Sequence, residues 1–219
     1  MKTPLVVAST NRGKLDELRA LLEDLPVSIV SVADACPSLG EIEEDGDTFE
    51  ENALKKARIV ANATMMLTLA DDSGLEVEAL GGRPGVRSAR FAHERATDAQ
   101  NNAALLEALR SQNLERSNPR ARFRCVLVLI DPYAPRAEPV LVEGCCQGTI
   151  TSIARGSGGF GYDPLFVVDS MGKTMAELSN DEKNRLSHRA LAVQALRPLL
   201  ERVLQSREAE IERISSAVS

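Results

Sequence analysis

Asp71 and Asp72 stand side by side, followed by Ser73 and Gly74. Two adjacent carboxylates are costly to hold together unless a cation or a proton relieves them. Such a pair invites a divalent cation or a shared proton. A short apolar approach (Met65, Met66, Leu67, Leu69) leads in, and alternation resumes through Leu75, Val77 and Leu80. The pattern predicts a strand, a sharp polar interruption and a second strand. Asp, Ser and Gly are also turn formers, so the stretch alone is equally readable as a plain turn.

Three other stretches invite an anion. Leu5-Val6-Val7-Ala8 predicts a buried parallel strand, and Leu15, Leu18, Leu21 and Leu22 fall at helical spacing. Between them, Ser9-Thr10-Asn11-Arg12-Gly13-Lys14 opens the helix, where free N–H groups favour a phosphate. The first glycine of a Walker A loop is absent and Leu15 follows the lysine, so the choice is between a phosphate site and an ordinary capped turn. Gly156 to Pro164 contains G-x-G-x-x-G at Gly156, Gly158 and Gly161, but a strand (Leu165 to Val168) follows rather than a helix, which excludes a dinucleotide fingerprint. What remains is a hairpin, or a loop with Phe160 or Tyr162 placed to stack on a base. Third, Lys183, Arg185, His188 and Arg189 gather beside the start of a final helix, where cations oppose the dipole unless an anion relieves them.

A second cation-friendly feature lies upstream. Glu41 to Asp47 is acidic, and Thr48-Phe49-Glu50-Glu51 is a capping box opening a helix with Phe49, Ala53, Ala57, Val60 and Ala61 inward. The acidic run is either a solvated loop or the source of one carboxylate for a divalent cation. Asn52, Lys55 and Lys56 either face solvent or face a ligand. Further elements are a strand over 27–32, a capped helix from Thr97, a central strand over 122–130, two antiparallel neighbours over 139–143 and 148–153, a segment capped by Ser179-Asn180-Asp181-Glu182, and a charged tail after Leu204 that either frays or extends the last helix.

Composition bounds these readings. The chain of 219 residues, 43% hydrophobic and 3% aromatic, is long enough for one large domain or two lobes with an aliphatic core. A net charge of −6 disfavours a polynucleotide binder but leaves room for a small phosphorylated ligand. Cys36, Cys125, Cys145 and Cys146 lack zinc spacing and read as reduced thiols. No signal peptide and no apolar run of spanning length is evident, so a cytoplasmic location is expected. Anion, divalent cation and aromatic features together suggest a Mg²⁺-nucleotide, with metal-assisted attack of water on a phosphoryl centre.

Seven stretches in order carry a resemblance: Ser9–Lys14, Glu43–Ala53, Ala70–Leu75, Gly81–Val86, Ser88–Phe91, Gly158–Pro164 and Leu186–Arg189. Together they resemble the inosine/xanthosine triphosphate pyrophosphatases, the HAM1-like family, over about residues 4–204. The resemblance implies an α/β fold with a long twisted mixed sheet, two lobes and a groove between them, in one domain over 1–205 with a charged tail over 206–219. It implies a homodimer that hydrolyses XTP, ITP and dITP to the monophosphate and pyrophosphate with Mg²⁺, clearing deaminated purines from the nucleotide pool. By motif position, Asp72 is expected as general base and metal-linked carboxylate, and Glu44 as the second metal carboxylate. Ser9, Thr10, Asn11, Arg12, Gly13 and Lys14 are expected at the triphosphate, and Ser73 as a substrate contact. Phe160, Gly161, Tyr162 and Asp163 form the base-side loop, and Lys183, His188 and Arg189 hold phosphate and the purine 6-oxo edge. Asp71 is expected to support the site. The turn departs from the usual Thr-Gly-Asn, reading Ser9-Thr10-Asn11. A Maf-like pyrophosphatase acting on pyrimidine or modified nucleotides and a nucleotide binder without turnover are the rival readings.

Overall fold

The N-terminal apolar run forms strand β1 (Thr3–Val7), in which Leu5, Val6 and Val7 are wholly buried. A strand buried on both faces must be covered by other elements above and below, as helices cover parallel sheets. In the computed structural model, which describes residues 2–114, 116–134 and 138–218, β1 pairs in parallel with β2 (Val27–Ser31) and β3 (Thr68–Val77). From β3 the sheet turns antiparallel, through β4 (Arg120–Ile130) and β5 (Val140–Ile150) to β6 (Phe166–Val168). The result is one mixed six-stranded sheet of order β2-β1-β3-β4-β5-β6.

Helices cover both faces at the parallel end. On one face α1 (Arg12–Leu21) and α6 (His188–Val218) bury Leu15, Leu18, Val193, Leu196 and Leu200 against Leu5, Val7, Leu127 and Leu129. On the other, α3 (Phe49–Thr64) lays Phe49, Ala53, Ala57, Val60 and Ala61 on Val6, Ala70, Val126 and Val128. β4 therefore feeds alternate residues into two cores, which is why its second half reads as one apolar run. A third core lies at the far end, where α4 (Asp98–Arg110) packs Leu105 and Leu109 with Leu75, Phe123, Tyr162 and Phe166. The three cores make the two lobes of the expected α/β fold. Two short helices complete it, α2 (Val32–Ala35) and α5 (Asn180–Leu186). Among the described residues no helix is long and apolar enough to cross a membrane.

Two sequence expectations are corrected. Residues 68–77 are a single strand, not two strands around a turn: every residue from Thr68 to Val77 has a register partner on β4. Gly74 is required by close approach, since a Cβ there would lie 2.4 Å from Ser88 Oγ and 2.6 Å from the Gly85 carbonyl oxygen. Likewise β5 is one strand through Gly144–Gly148, where two strands were expected. A Cβ on Gly144 would fall 2.2 Å from the Ala192 amide nitrogen, so this glycine admits α6 against the sheet rather than ending the strand. Of the two alternatives for the segment after Leu204, the structure has the extension of α6, and Arg207 joins it to the end of β4 by a two-pronged ion pair with Asp131 at 2.6 and 2.8 Å.

Candidate active site

Side chains alternate across a strand, so consecutive aspartates on β3 leave the sheet in opposite directions. Asp72 goes to the α3 face and Asp71 to the face of α1 and α6. This separation relieves the repulsion that adjacency implied, because each carboxylate meets its own cations.

On the α3 face, Lys56 Nζ donates to Asp72 Oδ1 at 2.9 Å, to Glu44 Oε1 at 2.5 Å and to the Asp71 backbone oxygen at 2.7 Å. Asn52 Nδ2 donates to Asp72 Oδ2 at 3.3 Å, while Asn52 Oδ1 accepts the Gly46 N–H at 2.8 Å. Asn52 thereby seats the acidic loop on the helix and fixes which acid turns inward. Arg90 Nη2 also donates to the Glu44 carbonyl at 2.6 Å. Burial raises the pKa of Asp72; the shared Lys56 offsets part of this, and Glu44 adds to it. Burial also raises that of Glu44, but Lys56, Lys14 and Arg90 outweigh it and leave a net lowering. Lys56 is raised, because two carboxylates overcome the burial that favours its neutral form.

On the opposite face Asp71 is wholly buried. Burial alone would push its pKa up; Arg189 and Lys14 hold it well below the usual carboxylate range. Lys14 reaches it from the start of α1, where the Asn11 side chain caps the helix by accepting the Lys14 N–H at 3.1 Å. Ser9 Oγ in turn accepts the Asn11 N–H at 3.1 Å.

The far end of the cleft is built by the second lobe. Phe160 lies over Gly13, where a Cβ would be 2.7 Å from the ring, and 5.9 Å from the Arg189 guanidinium carbon. Lys183 Nζ pairs with Asp163 Oδ2 at 2.6 Å. Burial raises the pKa of Asp163, and Lys183 offsets only part of that. His188 stacks on Phe123 with centroids 4.8 Å apart and has a buried Nδ1 without a partner. Its pKa is held well below the usual range, first by burial and then by Arg189. Gly161 is gripped by α4, its N–H donating to Asp98 at 2.7 Å and its carbonyl accepting from Asn102 at 2.9 Å.

The cleft has a cavity volume of about 130 Å³ and joins both lobes. Of the residues singled out from sequence, Asn11, Lys14, Glu44, Asp72, Ser73, Phe160, Gly161, Tyr162, Asp163, Lys183, His188 and Arg189 line it. Ser9, Thr10, Arg12 and Gly13 do not; Ser9 and Gly13 support the turn, and Thr10 and Arg12 are exposed. Tyr162 is committed to the core and its hydroxyl donates to the Ser88 carbonyl at 2.9 Å, so Phe160 is the ring left to stack. Arg185 stands outside the cleft lining. Sequence reasoning left Asn52 and Lys56 undecided and missed Glu17, Asp98 and Asn102. The available signal was spacing: Asn52 and Lys56 are one turn apart, on the stripe of Phe49, Ala53 and Val60. Lys55 falls off that stripe and pairs with Asp45 at the surface.

Glu44 and Asp72 are two hard oxygen donors at one point of the cleft. No group of three His, Cys, Asp or Glu able to hold a metal occurs among the described residues. Magnesium is commonly held by one or two carboxylates together with substrate phosphates, so this donor set fits it when phosphate supplies the remaining oxygens.

The comparisons agree with this geometry. The model of the Ham1 family matches residues 5–199. A dITP/XTP pyrophosphatase of Geobacter sulfurreducens is 50% identical over 195 residues, 89% of this chain and 95% of that protein. One of Bacillus subtilis is 46% identical over 196 residues, 90% and 96% of the two chains. The solved HAM1 protein from Coxiella burnetii superposes with a TM-score of 0.80 at 42% identity, covering 91% of this chain and 99% of that one. With a curled mixed sheet, a cleft lined by Glu44 and Asp72 with Lys56 bridging them, and a match over nearly its whole length, the chain belongs to the Ham1 family.

Proposed function

We propose that this chain hydrolyses non-standard purine nucleoside triphosphates (XTP, ITP and dITP) to the monophosphate and pyrophosphate, with Mg²⁺ and as a homodimer. The observation that carries the reading is the Asp72–Lys56–Glu44 cluster, set between the Asn11–Lys14 turn and the Phe160–Asp163 loop in one cleft. The names of relatives up to 50% identical support the substrate class.

In this reading the triphosphate lies along the start of α1 and meets Lys14, while the base enters the second lobe beside Phe160. Asp72 accepts the proton of the water that attacks the α-phosphorus. Lys56 and Lys14 offset the charge that grows on the phosphate oxygens and on the departing pyrophosphate. Glu44 and Asp72 would hold the magnesium ion, which supplies charge neutralisation and polarisation of the bound phosphates. Asp163, Lys183, His188 and Arg189 frame the base. A site that pairs with a 6-oxo group leaves polar groups unpaired against a 6-amino group, which is a strong basis for rejection.

The test is a pyrophosphate-release panel over XTP, ITP, dITP, ATP, GTP, UTP and dTTP, with and without Mg²⁺. Release from XTP, ITP and dITP well above the others, only with the metal, is the expected result. Preference for UTP or dTTP, or binding of XTP with no release, overturns the assignment.

A further inference from the structure

Asp71 is wholly buried and its carboxylate collects donors from four elements. Oδ1 accepts from Lys14 Nζ at 2.6 Å and from Ser73 Oγ at 2.9 Å. Oδ2 accepts from Arg189 Nε at 2.7 Å and from Cys125 Sγ at 3.3 Å. A carboxylate offers about four lone-pair sites, so all are taken. It has no capacity left to bind a metal ion or accept a proton from water, which separates it from Asp72 next door.

Three of its four donors, Lys14, Ser73 and Arg189, line the cleft. Lys14 belongs to the polyphosphate turn, on whose Gly13 the Phe160 ring packs. Arg189 lies beneath Phe160, and its Nη2 also donates to Ser73 Oγ at 2.9 Å. Lys14 has no other ion-pair partner within 4 Å among the described residues, and Arg189 has only Glu17 besides Asp71. A buried cation stripped of its partner is strongly unfavourable, and a long side chain freed from its anchor must be ordered again when substrate binds.

We propose that Asp71 is a positioning residue that locks Lys14 and Arg189 in register, setting the distance between the polyphosphate grip and the base grip before substrate arrives. The inference rests on the nucleotide reading of the cleft given above. Asp71 acts through Lys14 and touches neither substrate nor the reacting atoms, so its loss falls on substrate binding rather than on the chemical step.

The experiment is a double-mutant cycle of D71N and K14Q, measuring KM and kcat for ITP together with melting temperature. D71N is expected to raise KM about tenfold with kcat within about threefold of wild type, as lost preorganisation requires. The double variant is expected to stay within about twofold of the worse single variant, because the two residues act as one unit. Multiplying effects, an unchanged KM in D71N, or a loss confined to kcat overturns the proposal. Should D71N not fold, a K14Q and S73A cycle read by melting temperature without nucleotide decides the matter. Coupled shifts are expected through the shared Oδ1, and additive shifts overturn it. If the wild-type enzyme releases no pyrophosphate from ITP, the functional reading fails by itself, and the nucleotide-free cycle still judges the role of Asp71.

Discussion

The two aspartates of β3 differ in role because a strand sends neighbours to opposite faces. Asp72 shares Lys56 with Glu44, whereas Asp71 is saturated by Lys14, Arg189, Ser73 and Cys125. Asp72→Asn keeps the shape and the Asn52 contact but removes the base. Turnover of XTP should fall by about a thousandfold, the scale of lost general-base catalysis, while equilibrium binding of the nucleotide stays measurable. Turnover near wild type would refute the role. Lys56→Met leaves Glu44 and Asp72 facing each other with no shared cation, and kcat/KM should drop by about a hundredfold, as for a lost charge stabiliser in a dry site. A steady-state assay at saturating Mg²⁺ checks this. Asp72 was legible from the Ala-Asp-Asp-Ser-Gly-Leu motif. Lys56 was not singled out, because nothing in its own type separates a buried lysine from the exposed Lys55 beside it.

At the scale of elements, caps and glycines place the site. Thr48 Oγ1 accepts the Glu51 N–H at 3.2 Å and the Glu51 carboxylate accepts the Thr48 N–H at 3.2 Å. This capping box starts α3 so that the buried Asn52 and Lys56 meet Asp72. Thr48→Ala should cost about 1 kcal/mol of stability, seen as a lower midpoint in urea with an unchanged slope. β5 depends on Gly144, against which α6 brings the His188 carbonyl oxygen to 2.3 Å from where a Cβ would stand. Gly144→Ala forces α6 away from the sheet and should destabilise by about 3 kcal/mol, as overpacking does. Because α6 carries His188 and Arg189, activity at a temperature where the variant is folded should fall as well. Capping boxes at Thr48, Thr97 and Ser179 were legible because their signal is local. Gly74 and Gly144 were misread as breaks, since a glycine required by a distant neighbour looks the same in sequence as one required by a turn.

For the whole molecule, burial of a titratable group couples folding to pH. His188 stays neutral in the folded protein, its pKa held well below that of the unfolded chain by burial and by Arg189. The unfolded chain gains the proton at about pH 6.5, and the folded protein does not. Stability is therefore complete above that pH and falls as pH drops below it, by at most about 1.4 kcal/mol per unit. Melting temperature against pH should slope downward from 6.5 toward 5 in the wild type and slope less in His188→Gln. Equal slopes would show that this histidine is not the linked group. The proposed homodimer belongs to the same scale, and light scattering of the purified chain measures it directly.

The sequence by itself determined the element types, the order of the seven motifs and the family they point to. These depend on local periodicity, capping chemistry and residue identity, which are written along the chain. It also brought Asp72, Glu44, Lys14 and the Phe160 loop forward as one chemical set. Only the tertiary structure decided that residues 68–77 are one continuous strand, that Lys56 joins Glu44 to Asp72, and that Asp71 faces the other way into Lys14 and Arg189. The physical reason is that a buried charge is stable only where a partner meets it. The partners here come from positions as far apart as Lys14, Lys56 and Arg189, whose meeting is set by how helices pack on the sheet and by no spacing along the chain.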